Sequence, residues 1–173
     1  YEKHFHERME PVIIRAGNAS SLSVEAITLL MRHGADINSS CSATGDALVH
    51  TTANKIYATA PVSVFGFMGL GRTSPEVDES SIIKKSMESF SNLELLGADL
   101  TARNLRGETC ANCLAANEVF GVAAALIRHD GRLATLVDLK GQTPFSLTSN
   151  RNVGVAAQEL LEAAQPSLTR FIL

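Results

Sequence analysis

Hydrophobic residues of this 173-residue chain recur at helical spacing in four stretches. Steps of three and four residues place side chains on one face of an α-helix, so the pattern predicts four amphipathic helices, each with one buried face. In chain order the apolar positions are Val24, Ile27, Leu30 and Met31; Ile83, Met87, Phe90 and Leu93; Val122, Ala125 and Leu126; and Val153, Ala156, Leu160 and Leu161.

Three glycines follow the first three of these helices directly, at Gly34, Gly97 and Gly131. A helix often ends in a left-handed residue, which glycine adopts without strain, so we expect each of the three to close its helix in that conformation. The first two belong to a Gly-Ala-Asp string, whose Asp suits the turn that follows. The repeated ending predicts repeated structural units.

Ten or eleven residues after each closing glycine, a second glycine opens a new run; these are Gly45, Gly107 and Gly141. The clearest run is Gly-Gln-Thr-Pro-Phe-Ser-Leu at the third of them. Thr143 there, and Thr109 in the corresponding run, are expected to cap a helix by accepting from its free amides. Pro144 suits the first helical position, where a missing N–H costs nothing. A short helix is therefore predicted after each opening glycine.

These strings resemble the ankyrin repeat, whose unit of about 33 residues contains a turn, two antiparallel helices and a Thr-Pro-Leu-His-x-Ala signature. Gly97 and Gly131 are 34 residues apart, and so are Gly107 and Gly141. The resemblance implies an all-α, ankyrin-type helical solenoid of antiparallel helix pairs with short β-turn or hairpin tips. It covers residues 1–165 as one domain, followed by a C-terminal tail at 166–173. The implied units are about 9–40, 41–103, 104–137 and 138–164.

Two units depart from the family pattern. Unit one lacks the signature, and its first helix is predicted at residues 9–16, starting near Pro11. Unit three has Cys110, Ala111 and Asn112 where Pro, Leu and His are usual. We therefore expect a stack that is less stable than an idealised array and is held together by nearest-neighbour contacts.

Unit two carries a long insertion, because Gly45 and Gly97 are 52 residues apart against about 23 in the family pattern. We place the insertion at about residues 58–80, after the first helix of the unit. One interpretation is a loop; another is a docking segment that enters a groove of a partner. The apolar side chains that would dock are Val64, Phe65, Phe67, Met68 and Leu70.

Within the insertion, the string from Gly66 to Thr73 is Gly-x-x-x-x-Gly-Arg-Thr. A phosphate-binding loop has Lys before the final Ser or Thr. Here Arg72 replaces that lysine, Pro75 interrupts the helix that would follow, and no parallel sheet is predicted. Nucleotide binding is therefore kept only as the less favoured hypothesis for this segment.

Two groups of side chains contain residue types that are found in metal sites and in catalytic sites. Cys110 and Cys113 have the spacing of half a zinc or redox site, but Cys41 and His50 lie a repeat away, so we favour small core cysteines and predict no metal. His50 stands at the signature histidine, whose ring in the resembled family ties one repeat to the next. Because no Ser-His-Asp set or carboxylate pair stands out, we expect neither an enzyme nor a cofactor.

Composition narrows the class of protein further. Hydrophobic residues make up 45% of the chain and charged residues 19%, the net charge is -3 and the pI is about 6.0, which argues against nucleic acid as a partner. No apolar stretch reaches membrane-spanning length, and no secretory leader is visible. With an odd number of cysteines, we expect an intracellular protein, cytoplasmic or nuclear. Because the chain begins at Tyr1, we expect it to be part of a larger one.

The resemblance also implies where a partner binds: at the turn tips, at the residue after each opening glycine and at the ends of the first helices. On this chain these positions are Ala43, Thr44, Asp46, Asn54, Lys55, Leu105, Arg106, Glu108, Asn117, Leu139, Lys140, Gln142, Asn150 and Arg151. Four of them are basic and two are acidic, which predicts a protein partner with an acidic or mixed-charge surface. The expected function is a scaffold or regulatory interaction module; the alternative is a structural subunit of a large assembly that docks through its insertion.

Overall fold

A computed structural model describes residues 11–18, 23–59, 79–149 and 162, and all the regular structure in these ranges is helical. The chain is therefore all-α in its described part, as expected. The α-helices are α1 (Val12–Asn18), α2 (Val24–Arg32), α3 (Leu48–Thr59), α4 (Glu79–Leu95), α5 (Cys110–Ala116), α6 (Phe120–His129) and α7 (Pro144–Ser149). A 3-10 helix spans Gly131–Ala134. None of these helices combines the length and the hydropathy that a membrane crossing requires.

The helices pack in two rows. Helix α3 contacts α1 on one side and α5 on the other, and α5 in turn contacts α7. These four form the row of first helices. Each of the first three also contacts the helix that follows it in the chain, and α4 contacts α6 in the second row. Successive helix pairs thus lie side by side, so each pair is stabilised by its nearest neighbours.

Between the two rows lies a continuous apolar core. The apolar positions predicted for the first three amphipathic helices lie in α2, α4 and α6, which confirms those helices. The most deeply buried of these side chains are Ile27, Phe90, Leu93, Val122 and Leu126. The fourth predicted set, in residues 153–161, lies outside the described residues.

Helix starts follow the predicted capping chemistry. Thr109 is the N-cap of α5, and its side chain forms a reciprocal capping box with Asn112. Pro144 is the first residue of α7, and Thr143 Oγ1 accepts the N–H of Ser146 at 3.1 Å. Helix α1 begins one residue after Pro11 and continues to Asn18, two residues beyond the predicted end.

Two of the three closing glycines are left-handed, with φ of 90° at Gly34 and 92° at Gly97. The prediction for Gly131 was wrong, since it is not among the residues with positive φ and instead begins the 3-10 helix. Asp130, in an extended conformation, ends α6, and its side chain accepts the N–H of Arg132 at 3.1 Å. The carboxylate cap turns the chain there without a left-handed residue.

Helices α3 and α4 are the longest described, with 12 and 17 residues against 7 in α5 and 10 in α6. Ala58 and Thr59 continue α3, and Glu79 and Ser80 begin α4, so both ends of the predicted insertion are helical. Residues 60–78, which include the docking and phosphate-loop hypotheses, lie outside the described residues.

Candidate interaction surface at the turn tips

Three turn tips precede first helices, at residues 42–46, 104–108 and 138–142. Each tip closes like a short hairpin through one backbone hydrogen bond. The bonds run from the N–H to the carbonyl: Cys41 to Asp46 (2.9 Å), Asn104 to Glu108 (3.1 Å) and Asp138 to Gln142 (3.0 Å). The second and third tips therefore share one backbone plan, whereas the first is closed one residue earlier, from Cys41 instead of Ser42.

A buried Asn or Asp three residues before the glycine holds two of these tips in shape. Asn104 Oδ1 accepts the N–H groups of Arg106 and Glu108 at 2.9 and 3.0 Å. Asp138 Oδ1 accepts the N–H groups two and four positions later, each at 2.8 Å. Sequence reasoning missed this role, although the parallel strings Asn-Leu-Arg-Gly and Asp-Leu-Lys-Gly signal it.

Backbone hydrogen bonds also join each tip to the next. Leu105 N–H donates to the carbonyl of Thr44 at 2.9 Å, and Leu139 N–H donates to that of Arg106 at 3.0 Å. These bonds cross from one unit to its neighbour. They keep equivalent residues of successive tips in register.

The opening glycines make this close approach possible. A Cβ added at Gly45 would lie 2.5 Å from the backbone N of Leu105, and one added at Gly107 would lie 2.8 Å from the N of Leu139. Both glycines also have positive φ, at 72° and 74°. Conformation and space both require glycine at these two positions.

Two buried side chains below the tips tie the units together. His50 Nδ1 accepts the N–H of Ala47 at 3.1 Å, which leaves Nε2 to donate to the carbonyl of Glu108, 2.9 Å away. This is the link between repeats that was predicted for His50. Asn112 makes the same pair of bonds one unit later: Oδ1 accepts the N–H of Thr109 at 3.1 Å, and Nδ2 donates to the carbonyl of Gln142 at 3.2 Å. Asn112 therefore makes the same two kinds of hydrogen bond as His50.

Large apolar side chains stand on the outside of consecutive tips. Leu105 is 63% exposed and Leu139 is 78% exposed, and both lie two residues before an opening glycine. Ala43 has the equivalent position in the first tip and is exposed as well. The residues that follow these three are Thr44, Arg106 and Lys140, all of them exposed. We name these six residues the tip row.

The acidic side chains at the tips accept hydrogen bonds from neighbouring residues of the tips. Glu108 Oε2 accepts from Arg106 Nε at 2.6 Å and from Asn104 Nδ2 at 3.1 Å, and Asp46 Oδ1 accepts from the same amide at 3.0 Å. The hydrogen bond that Arg106 donates to Glu108 raises the pKa of Arg106 above its ordinary value. The Arg106 side chain nevertheless stays 63% exposed, against 17% for Glu108. The acids therefore face inward and the base faces outward.

Arg103 is a further basic residue of this surface, and sequence reasoning did not single it out. It is exposed, and its Nη1 donates to the carbonyl of Val137 in the next unit at 2.9 Å. Its position directly before Asn104, at the base of a tip, is the signal that could have found it. The guanidinium lies beside the junction of two tips.

The other predicted contact residues divide between two ends of the helices. Lys55 Nζ donates to the carbonyl of Gly17 at 3.4 Å, at the carboxyl end of α1. Asn117 caps the end of α5, about 10 Å along that helix from its tip. Asn54 is exposed near the same end of α3. Among the described candidates, those at the tips are joined by backbone hydrogen bonds from one tip to the next. Asn150, Arg151 and the five apolar residues of the insertion lie outside the described residues.

Both cysteines of unit three are buried thiols. Cys110 Sγ lies 3.3 Å from the carbonyl of Leu100, and burial, together with Cys113, raises the pKa of Cys110. Burial, with Glu108 nearby, raises the pKa of Cys113 to about 12. Such thiols are poor nucleophiles at neutral pH. Within the described ranges, no group of three or more His, Cys, Asp or Glu side chains is placed to hold a metal ion.

No protein-family model matches the chain, and no curated protein matches it either.

Proposed function

We propose that the chain is an ankyrin-type helical solenoid that binds another protein through the tip row, as an interaction module of a larger intracellular protein. Support for the solenoid comes from the two rows of helices and from the repeated hydrogen bonds at their junctions. His50 and Asn112 occupy equivalent positions and make equivalent bonds across successive units. A stack built from such repeated junctions presents repeated positions to a partner.

One observation carries the binding proposal: Leu105 and Leu139 are exposed at the same position of consecutive, hydrogen-bonded tips. Scattered exposed leucines are ordinary on protein surfaces, but a registered row on a rigid backbone is a preformed contact line. Because the backbone bonds hold the tips already, binding there orders few additional groups and loses little entropy.

The test compares proteins retained from a cell extract by the immobilised chain and by the double variant Leu105→Ser/Leu139→Ser. Both leucines are mostly exposed, so we expect an unchanged circular dichroism spectrum and unfolding midpoint, together with loss of the retained partner. Leu29→Ser is the control, because Leu29 is 55% exposed on α2, away from the tips. A partner retained equally by the double variant would contradict the proposal.

A further inference from the structure

We infer that the tip row takes a linear, acidic segment of a protein partner that carries large aliphatic side chains. This inference rests on the proposed function and adds the chemistry of the partner. It follows from the distribution of charge, the shape of the row and the apolar positions in it.

At the tips, acidic side chains are hydrogen-bonded within the protein, whereas basic side chains are exposed to solvent. Asp138 is buried, with its Oδ1 taken by backbone N–H groups, and Glu108 is bonded to Asn104 and Arg106. Arg103 and Lys140 are exposed. A partner crossing the tips therefore meets cations, although the chain as a whole has a net charge of -3. Complementary carboxylates would raise the association rate and would pair with the exposed ends of these side chains.

At two of the tips, an apolar side chain directly precedes a cation. Leu139 precedes Lys140 directly, just as Leu105 precedes Arg106, so each of these two tips presents one apolar and one basic side chain together. A complementary partner places an aliphatic side chain close to a carboxylate. Neither a purely acidic tract nor a purely apolar one satisfies both kinds of position.

The row is also narrow. Three tips in register contribute six side chains, whereas each side of a standard interface between folded proteins uses roughly 20 to 30 residues. A single row of this kind fits an extended segment better than a broad folded surface. Such a segment is recognised through a few anchor side chains.

The experiment selects binders from a displayed library of random peptides of about twelve residues, long enough when extended to span about 40 Å. We expect the selected peptides to carry a net negative charge and at least one large aliphatic residue. Their affinity, measured by fluorescence polarisation, should be lost with Leu105→Ser/Leu139→Ser. It should fall about fivefold with Lys140→Glu, which changes the local charge by two units at the rim of the site.

Lys84→Glu is the matched control, because it makes the same change in net charge at an exposed position on α4. An equal loss of affinity for both lysine variants would overturn the inference, since it would reflect overall charge alone. Neutral or basic peptides that still depend on the two leucines would overturn the acidic partner and leave the proposed function standing. Recovery of no tip-dependent peptide overturns the linear segment, and the retention experiment then decides the proposed function separately.

Discussion

Unit two and unit three make the same junctions with different residues. His50 of unit two and Asn112 of unit three are both fully buried, and each links an N–H of its own unit to a carbonyl of the next. The units differ elsewhere, since α3 and α4 are much longer than α5 and α6. The comparison shows that the hydrogen bonds at the junction are maintained while the residue type and the helix length vary.

The largest effect is expected from removing the buried side chains at the junctions. His50→Ala and Asn112→Ala each leave a buried N–H without its partner, remove one of the two hydrogen bonds to a half-buried carbonyl and create a cavity, which together cost about 3 kcal/mol of unfolding free energy. His50→Asn should cost only about 1 kcal/mol, because Asn112 shows that an amide makes both bonds. Urea unfolding of the three variants measures this. If His50→Asn is as destabilising as His50→Ala, the two junctions are not equivalent.

The opening glycines test the tip bonds of the same two junctions. Gly45→Ala and Gly107→Ala should each lower the unfolding free energy by about 2 to 3 kcal/mol, because a Cβ meets the next backbone in a left-handed conformation. Gly141→Ala is the control: its φ of 74° is similar, but nothing lies within 4 Å of the added Cβ. That variant should show the conformational cost alone, about 1 kcal/mol. Thermal unfolding that ranks all three equally would argue against close tip packing.

The turn after α5 marks the position at which the structures of units two and three begin to differ. Glu118 has a positive φ of 64° at this turn, whereas α3 continues through the equivalent position, Ile56. Glu118→Gly should raise the unfolding free energy by about 0.5 to 1 kcal/mol by relieving the left-handed strain. Glu118→Ala retains a Cβ and should give no such gain. A denaturant melt in which alanine stabilises as much as glycine would assign the effect to the charge of Glu118.

The smallest effect is expected where the second helices end, at Asp130 in unit three and Gly97 in unit two. The hydrogen bond from Arg132 holds the pKa of Asp130 below its ordinary value. The charged form is thus favoured in the folded state, so this carboxylate stabilises the fold above that ordinary pKa. The contribution is lost as the pH falls through the lowered pKa.

Asp130→Asn should therefore cost about 0.5 kcal/mol near neutral pH, a small value because Arg132 is largely exposed. The difference from the wild type should vanish in acid, below the lowered pKa, where the carboxylate is protonated. Unfolding midpoints measured across this pH range provide the check. A difference between the two proteins that does not change with pH would assign the effect to the shape of the cap alone.

Local chemistry made much of the fold predictable. Thr109 and Pro144 mark helix starts because capping and the missing proline N–H act within one turn, and Gly34 and Gly97 mark ends for the same local reason. The left-handed helix end predicted at Gly131 was wrong because the neighbouring Asp130 caps the turn with its side chain. The lengths of α3 and α4 depend on how far each helix is supported by its partner, and no local signal states that.

The tip surface was predictable in its position but not in its charge. The register of the glycines predicted Leu105 and Leu139 at the tips, and both are exposed there. Which charges face outward depends on partners that lie close only in the fold: Arg106 with Glu108, and Arg103 with the carbonyl of Val137. Of the residues predicted to form a basic surface, Lys55 instead donates to a carbonyl at the end of α1. Arg103, which was not predicted, belongs to the surface at the tips.

The hydrogen bonds between tips have a mechanical consequence. They cross the boundaries between neighbouring units, so a pull on the two ends of the stack loads the Leu105–Thr44 bond and the Leu139–Arg106 bond in series. Bonds in series carry the same force, and the weakest boundary opens while the others hold. Under tension the molecule should lengthen in steps of one unit, as a chain of separate links rather than as a single rod.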